Sequence, residues 1–404
     1  MIINYCFAQA SGLALYGVGE NIGKTDVASM SLGKSTFFSA NKYGITMCSP
    51  SSLWKSTLTR FTIHSGLNYL DIVSFPQQFQ HNLTYFSLSF PIGDKKVFGI
   101  GLKPTLRTNT LEIEEDYQLI GSDVSTTIHP MVYKKNYYID GGISEILLQY
   151  SSKRNTNFSL GIQYSFLFGN QLFEEKRDTY DIEIDSVSSG GSDLIEFIHD
   201  NGITVDTFYV QGLSSETTYI QNSTQLSGSE FMIEGRYNNA NHEIVLRTAL
   251  RGNIKLQTSK SQNTDGEVYY NNINNKILAS ISEFSLGYLY KISDKSGVII
   301  ETQLNYPINI PEAVALFNVS PPYENSIHLG TYYQIPNPKF SYWNNLNIRS
   351  GGYLKQFDFS NSTYIDYGVT FGLGFEYLGN TQELNVSLCV GKRESFTLKT
   401  LKTK

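Results

Sequence analysis

Charge is scarce in this 404-residue chain: Asp, Glu, Lys and Arg make up 17% of it and balance to a net −6 at pH 7. No run of Lys or Arg occurs, so the electrostatic footprint of a protein that grips a nucleic-acid backbone is missing, and nucleic acid is not an expected partner. Long hydrophobic runs are missing too. A typical one, Ala313-Val314-Ala315-Leu316-Phe317, falls far short of the roughly 20 residues a membrane-spanning helix needs. Cysteine is limited to Cys6, Cys48 and Cys389, an odd number without metal-ligand spacing, which suggests neither a disulfide framework nor a zinc site. Were Cys6 removed with a leader, a Cys48 to Cys389 bridge would be the one pairing left, and nothing in the spacing supports it. The six histidines, His64, His81, His129, His199, His242 and His328, include no i, i+4 pair of the zinc-protease kind. There is no G-x-S-x-G elbow and no GxxxxGK[ST] loop. No cofactor or metal is expected, and the chain reads as a non-enzyme; a Ser and a His on neighbouring strands would escape a motif search, but no such pair is evident.

What is plentiful is Gly (33), Tyr (28) and Phe (24), a mixture that favours strands. The clearest pattern lies near the C-terminus. One parity holds Ile365, Tyr367, Val369, Phe371, Leu373, Phe375 and Tyr377; the other holds Asp366, Gly368, Thr370, Gly372, Gly374 and Glu376. A period of two is a strand. From Tyr367 to Tyr377, ten steps of about 3.3 Å tilted by about 40° rise roughly 25 Å, the apolar height of a membrane barrel. The same design recurs in Phe158, Leu160, Ile162, Tyr164, Phe166 and Phe168, and in Phe284, Leu286, Tyr288 and Tyr290. Such runs exceed the five or six residues typical of strands in soluble sandwiches. Phe158, Tyr164, Phe371 and Phe375 are accordingly expected to face lipid, with Gly, Ser, Thr and charge inside.

Connections alternate short and long, as they do when one rim of a barrel carries tight turns and the other carries extended loops. Short ones fall at 93–95, 151–156, 238–241, 293–296 and 379–381, and long ones at 103–140, 170–202, 252–279 and 307–322. The strands expected are 57–72, 82–92, 96–103, 142–150, 157–168, 204–212, 228–238, 241–251, 281–291, 297–306, 324–334, 343–355, 363–378 and 382–391, about fourteen in all. Leu194, Ile195, Phe197 and Ile198 suggest a short helix over 192–201, and Thr25 and Asp26 are candidate N-caps for a helix within 21–34. The fold class is all-β: a transmembrane antiparallel barrel over 57–404, preceded by an N-terminal plug over 11–56. Residues 1–10 end in Ala8-Gln9-Ala10 and read as a signal-peptide remnant, or as a frayed end that happens to carry two alanines.

Several short motifs occur in order: Leu15-Tyr16-Gly17-Val18-Gly19-Glu20-Asn21, Ser29-Met30-Ser31-Leu32-Gly33-Lys34, Ser49-Pro50-Ser51-Ser52-Leu53, Phe90-Pro91-Ile92, Phe98-Gly99-Ile100-Gly101-Leu102-Lys103-Pro104, Gly141-Gly142-Ile143-Ser144 and Phe166-Leu167-Phe168-Gly169. Over the first half of the chain this series resembles the long-chain fatty-acid transporter (FadL-like) superfamily of outer-membrane proteins, in its Bacteroidetes-type members. In those members the third motif usually carries Asn where this chain has Ser49. The resemblance implies a barrel of this strand number in the outer membrane of a Gram-negative bacterium, a lumen filled by an N-terminal hatch, and passage of hydrophobic small molecules. It also implies insertion by the barrel-insertion machinery, for which the ending Phe396-Thr397-Leu398-Lys399-Thr400-Leu401-Lys402-Thr403-Lys404 is atypical and leaves open that a last strand is missing.

Transferred to this chain, the hatch centres on Pro50, Ser51, Ser52, Leu53 and Trp54. Trp54 suits an interface anchor, or a pin of the hatch against the first strand. Glu243, Arg247 and Arg251 share a parity and are expected to point into the lumen, either as a selective constriction or as ordinary charge balance. Glu112, Glu114, Glu115 and Asp116 lack a calcium-loop pattern and read as a solvated loop face. The function expected is passive transport of a small hydrophobic solute, with outer-membrane lipid as the surrounding partner. The alternatives are a non-transporting scaffold barrel of a protein secretion pathway and a soluble β-sandwich.

Overall fold

The computed structural model describes residues 20–21, 25–40, 45–70, 78–114, 118–119, 131–183, 193–198, 205–210, 216–252, 254–264, 267–278, 281–307, 323–336, 345–359, 362–377 and 382–397. The leader remnant expected over 1–10, the residues Glu115 and Asp116, and most of the connection at 307–322 lie outside them. In chain order the strands are β1 (Glu20–Asn21), β2 (Arg60–Leu70), β3 (Gln78–Pro91), β4 (Lys96–Glu114), β5 (Gln118–Leu119), β6 (Met131–Lys153), β7 (Phe158–Glu183), β8 (Asp193–Ile198), β9 (Val205–Val210) and β10 (Glu216–Asn238). They continue as β11 (His242–Arg251), β12 (Ile254–Thr264), β13 (Glu267–Leu278), β14 (Ile281–Ser293), β15 (Ser296–Pro307), β16 (Tyr323–Pro336), β17 (Asn345–Phe359), β18 (Ser362–Tyr377) and β19 (Gln382–Thr397). One short helix, α1 (Val27–Met30), and a 3-10 turn, Pro50–Lys55, precede the long strands.

Antiparallel ladders join β2 to β3, β4, β6, β7 and β10 in succession. β10 then pairs with β11 and, beyond Gly252, with its continuation β12; β13 and β14 form the next strand in the same divided way. From β14 to β19 each strand pairs with the next. In the order of the sheet β19 is followed by β2, so the last strand returns to the first. Among the described residues the ladders run through thirteen long strands, with β11 and β12 counted as one and β13 and β14 as another, an antiparallel barrel wall close to the fourteen that the sequence pattern gives.

Burial along the wall is inverted relative to a soluble protein. Phe158, Tyr164 and Phe371 are exposed and Phe375 is half-buried, while Gly161, Gln163, Ser165, Gly372 and Gly374 on the opposite parity are buried. The outer face continues through Phe231, Leu246, Phe284, Ile300, Leu329 and Leu388, all exposed. The inner face holds buried Glu145, Glu234, Arg236, Arg247, Glu301 and Arg349. Greasy outside and polar inside is the arrangement lipid imposes on a closed sheet. Phe371→Lys, near the middle of the apolar band, is therefore expected to destabilise the barrel by about 2–4 kcal/mol. A shift of the urea midpoint for folding into lipid vesicles, against an unshifted Phe371→Leu, checks this.

The structure departs from the sequence pattern in several places. Much of the long connections is not loop: β4 and β6 pair beyond the membrane band through Leu111 with Ile139 and Ile113 with Tyr137, and β7 and β10 do so through Glu174 with Gln221. Carrying the ladder past the lipid satisfies backbone groups that loops would leave to water. Glu112 and Glu114 accordingly stand on β4, opposite Tyr138 and Asn136, rather than in a loop. The helix expected over 192–201 is instead β8, paired with β9 from Asp193 with Val210 to Ile198 with Val205. One or two helical turns are marginal by themselves, and the partner Val205-Asp206-Thr207-Phe208-Tyr209-Val210 is rich in residues that fit a pleated sheet. The expected wall strand at 204–212 is this β9, which extends the end of β7 instead of crossing the membrane. Cys48 and Cys389 are free thiols, so no bridge joins them.

Candidate functional site: an N-terminal segment held inside the barrel

Residues 25–40 and 45–56 lie against the inner face of the wall, and almost all of them are buried. Asp26 caps α1 by accepting from the Ser29 amide (2.7 Å), and the chain then passes through Gly33 and Lys34 with positive φ. Its backbone sits directly on the sheet where the wall carries glycine. A Cβ at Gly351 would lie 2.3 Å from the Gly33 nitrogen, one at Gly372 would lie 2.3 Å from Ser31 Cβ, and one at Gly161 would lie 2.2 Å from the Ser51 nitrogen. These inward glycines are seats for another backbone, which no residue with a side chain could provide.

Apolar and polar contacts alternate along the segment. Leu32, Phe37 and Phe38 pack on Val245, Leu289 and Ile299, while Ile45, Met47 and Leu53 pack on Tyr85, Val97 and Leu147. Between these clusters lie two wall carboxylates. Glu301 on β15 accepts from the Thr36 amide (2.9 and 3.0 Å), the Phe37 amide (3.3 Å), the Ser35 hydroxyl (2.7 Å) and the Thr36 hydroxyl. Glu234 on β10 accepts from the Ser51 amide (3.2 Å) and from the hydroxyls of Ser49 and Ser51.

Two buried arginines complete the network. Arg247 donates to Glu234 Oε2 (2.8 and 3.0 Å), to the Cys48 carbonyl (2.6 Å) and to the Thr36 hydroxyl (3.0 Å), and its guanidinium lies 4.2 Å from the Phe37 ring centroid. Arg236 donates to the Phe37 carbonyl (2.9 Å), to Ser51 Oγ (3.0 Å) and to Glu243, which Lys55 (3.6 Å) and Lys291 (3.8 Å) also face. Buried charges of this kind are tolerable only when paired and fully hydrogen-bonded. Here the segment's own amides, hydroxyls and carbonyls supply many of the partners.

The residues singled out from sequence are placed as follows. Glu243 and Arg247 are buried in the network, whereas Arg251 is half-buried and ion-paired to Glu230 (2.9 Å). Pro50 and Ser51 lie over Gly161, and the Ser51 carbonyl accepts from the Ser159 hydroxyl (2.9 Å). Ser52 ties the turn to itself, donating to the Thr46 and Ser49 carbonyls and accepting from the Thr46 amide. Trp54 donates its amide to Ser151 Oγ (3.1 Å) on β6, with Lys153 Nζ 4.4 Å from its ring, so it stands against β6 rather than the first long strand. Glu301, Glu234 and Arg236, with Ser35, Thr36 and Phe37, were not anticipated. Gly161→Val is expected to cost about 1–3 kcal/mol through overpacking, because what it meets is backbone; hydrogen exchange over 45–56 should rise, while Gly235→Ala, whose Cβ meets nothing nearer than 3.6 Å, should leave it unchanged.

A lipid-facing antiparallel wall, a charged inner face and an N-terminal segment seated within it define the class, an outer-membrane β-barrel. The BamG family model matches residues 1–402, and the chain belongs to that family. It is similar to three solved structures: the toluene transporter TbuX of Ralstonia pickettii (12% identity, TM-score 0.42, 92% of this chain and 98% of that one), the monoaromatic hydrocarbon channel CymD (12%, 0.45, 96% and 95%) and the toluene transporter TodX of Pseudomonas putida (11%, 0.41, 94% and 98%). No protein with a curated description matches.

Proposed function

We propose that this barrel is a passive outer-membrane transporter for a small hydrophobic solute, with residues 25–40 and 45–56 as the plug of its lumen. One observation carries the reading. Leu106, Ile143, Leu167, Leu226, Ile254 and Leu256 form an apolar cluster on the inner parity of β4, β6, β7, β10 and β12, where a barrel for polar solutes would carry polar side chains. An apolar surface inside a plugged lumen suits a solute that water does not hold, and such constrictions exclude ions by dewetting. The solved hydrocarbon transporters named above bear the same reading as analogy. Uptake of the hydrophobic dye N-phenylnaphthylamine by intact cells tests it. Cells carrying the protein should take up dye faster than cells lacking it, and Leu167→Glu with Leu226→Glu should abolish the difference; equal rates with and without the protein would sink the proposal.

A second reading has its own support. Membership of the BamG family and the density of bonds holding the plug favour a non-transporting barrel that takes part in barrel assembly. In that case dye uptake stays flat, and the barrel co-purifies with a protein partner after mild detergent extraction.

A further inference from the structure

We propose that the outer face of β4, β6, β7, β10 and β12 binds the phosphate-bearing headgroup of an outer-leaflet lipid. The ladder is irregular there. Gly141 and Gly142 on β6 have φ of +117° and +139°, and a Cβ on them would lie 2.0 Å from the Asn170 carbonyl oxygen and 2.2 Å from that of Leu106. The register of β4 on β6 shifts between Pro104 and Leu106. These close approaches leave a concavity of about 880 Å³, whose lining includes Arg107, Ser144, Phe168, Asn170, Gln225 and Lys255.

Register assigns the concavity to the outside. Arg107, Gly142, Asn170, Gln225 and Gln257 form one cross-strand row, and Ser144, Phe168, Ser227 and Lys255 form the row beneath. Phe168 belongs to the exposed series Phe158, Tyr164, Phe166 and Phe168, and the inward neighbours Leu167, Leu226 and Leu256 are buried. The series starts beside the short turn between β6 and β7 and ends at Phe168, above which the outward residue is Asn170. Hydrocarbon contact thus gives way to polar contact at this level, on the rim away from the short turns, where outer-leaflet headgroups lie.

The chemistry of the lining selects the occupant. Two cations stand at opposite ends of the two rows, Arg107 half-buried and donating to Ser144 Oγ (3.0 Å), Lys255 exposed. Among the described residues no acidic side chain lines the cavity; Asp140, whose charge acts on Arg107, stands on the same face of β6 but further from the membrane. A planar guanidinium and an ammonium suit phosphate oxygens. Phe168, Phe166 and Tyr164 below offer a surface for the acyl chains.

The test is native mass spectrometry of the full chain released from phosphatidylcholine nanodiscs that contain a minor fraction of diphosphoryl lipid A. The wild-type barrel should retain the lipid A adduct, and Arg107→Gln with Lys255→Gln should lower it by about tenfold, the effect of roughly 1.4 kcal/mol of lost contact. Lys255→Gln alone should lower it several-fold, which keeps the test open if the Arg107 variant folds poorly, and Lys95→Gln at a short turn should leave it unchanged. Undiminished adducts in the double variant would overturn the proposal. So would equal retention of dephosphorylated lipid A, or displacement of the lipid by millimolar inorganic phosphate, which would mark a site for free anions instead.

Discussion

Arg247→Ala is expected to destabilise the barrel by about 3–5 kcal/mol, the usual consequence of removing one partner from a buried ion pair. Arg247 is the cation between Glu234 (2.8 Å) and Glu283 (3.8 Å), and the charge of Glu301 acts on it as well. All three carboxylates are buried, so the alanine variant leaves them without this neutralising charge. It also strands the Cys48 carbonyl and takes away the bond that the Thr36 hydroxyl accepts, leaving that hydroxyl only its bond to Glu301. Urea unfolding in detergent measures the loss. Most of it should come from unpaired charge rather than from the missing attraction, so Arg247→Met combined with Glu234→Gln should recover a large part of what Arg247→Ala loses. A cost of Arg247→Ala below about 1 kcal/mol would mean that water penetrates the lumen and screens the network as it does at a surface.

The wall was legible in the sequence because its solvent imposes a rule on every residue. A strand with Tyr367, Phe371 and Phe375 on one parity and Gly368, Gly372 and Gly374 on the other satisfies that rule without reference to any neighbour. The extensions beyond the membrane were not legible, since past the lipid both faces meet water and the alternation fades; β7 runs on through Phe173 to Glu183 with mixed polarity. The site was legible in half. Glu243 and Arg247 stood out by sharing a parity against apolar neighbours, and Glu234, Arg236 and Glu301 carry the same signal in strands where Phe231, Ile233, Val298 and Ile300 point outward. What no parity could give is the pairing across the lumen. Thr36 and Glu301 are 265 residues apart in sequence, and the segment around Thr36, a polar stretch without periodicity, has no reason to be inside until a wall of glycines and charge is there to receive it. The same holds for Gly161 and Gly351, which read simply as small inner-face residues.

Glu301→Ala is expected to free the first half of the lumenal segment while leaving the wall intact. The carboxylate accepts from two backbone amides, Thr36 and Phe37, and two hydroxyls, Ser35 and Thr36. Stranding buried donors costs about 1–3 kcal/mol each, and even two of them would raise local opening by roughly a hundredfold. Glu301→Gln should be nearly as damaging, because one of its two acceptor oxygens becomes an NH2 group facing donors that it cannot satisfy. Hydrogen exchange is the decisive readout: the Thr36 and Phe37 amides should exchange about a hundredfold faster in both variants, while the β15 amides paired to β14 and β16 keep wild-type protection. Unchanged exchange at Thr36 and Phe37 would show that the apolar seat of Leu32, Phe37 and Phe38 on Val245, Leu289 and Ile299 holds the segment unaided, and that Glu301 merely accompanies it.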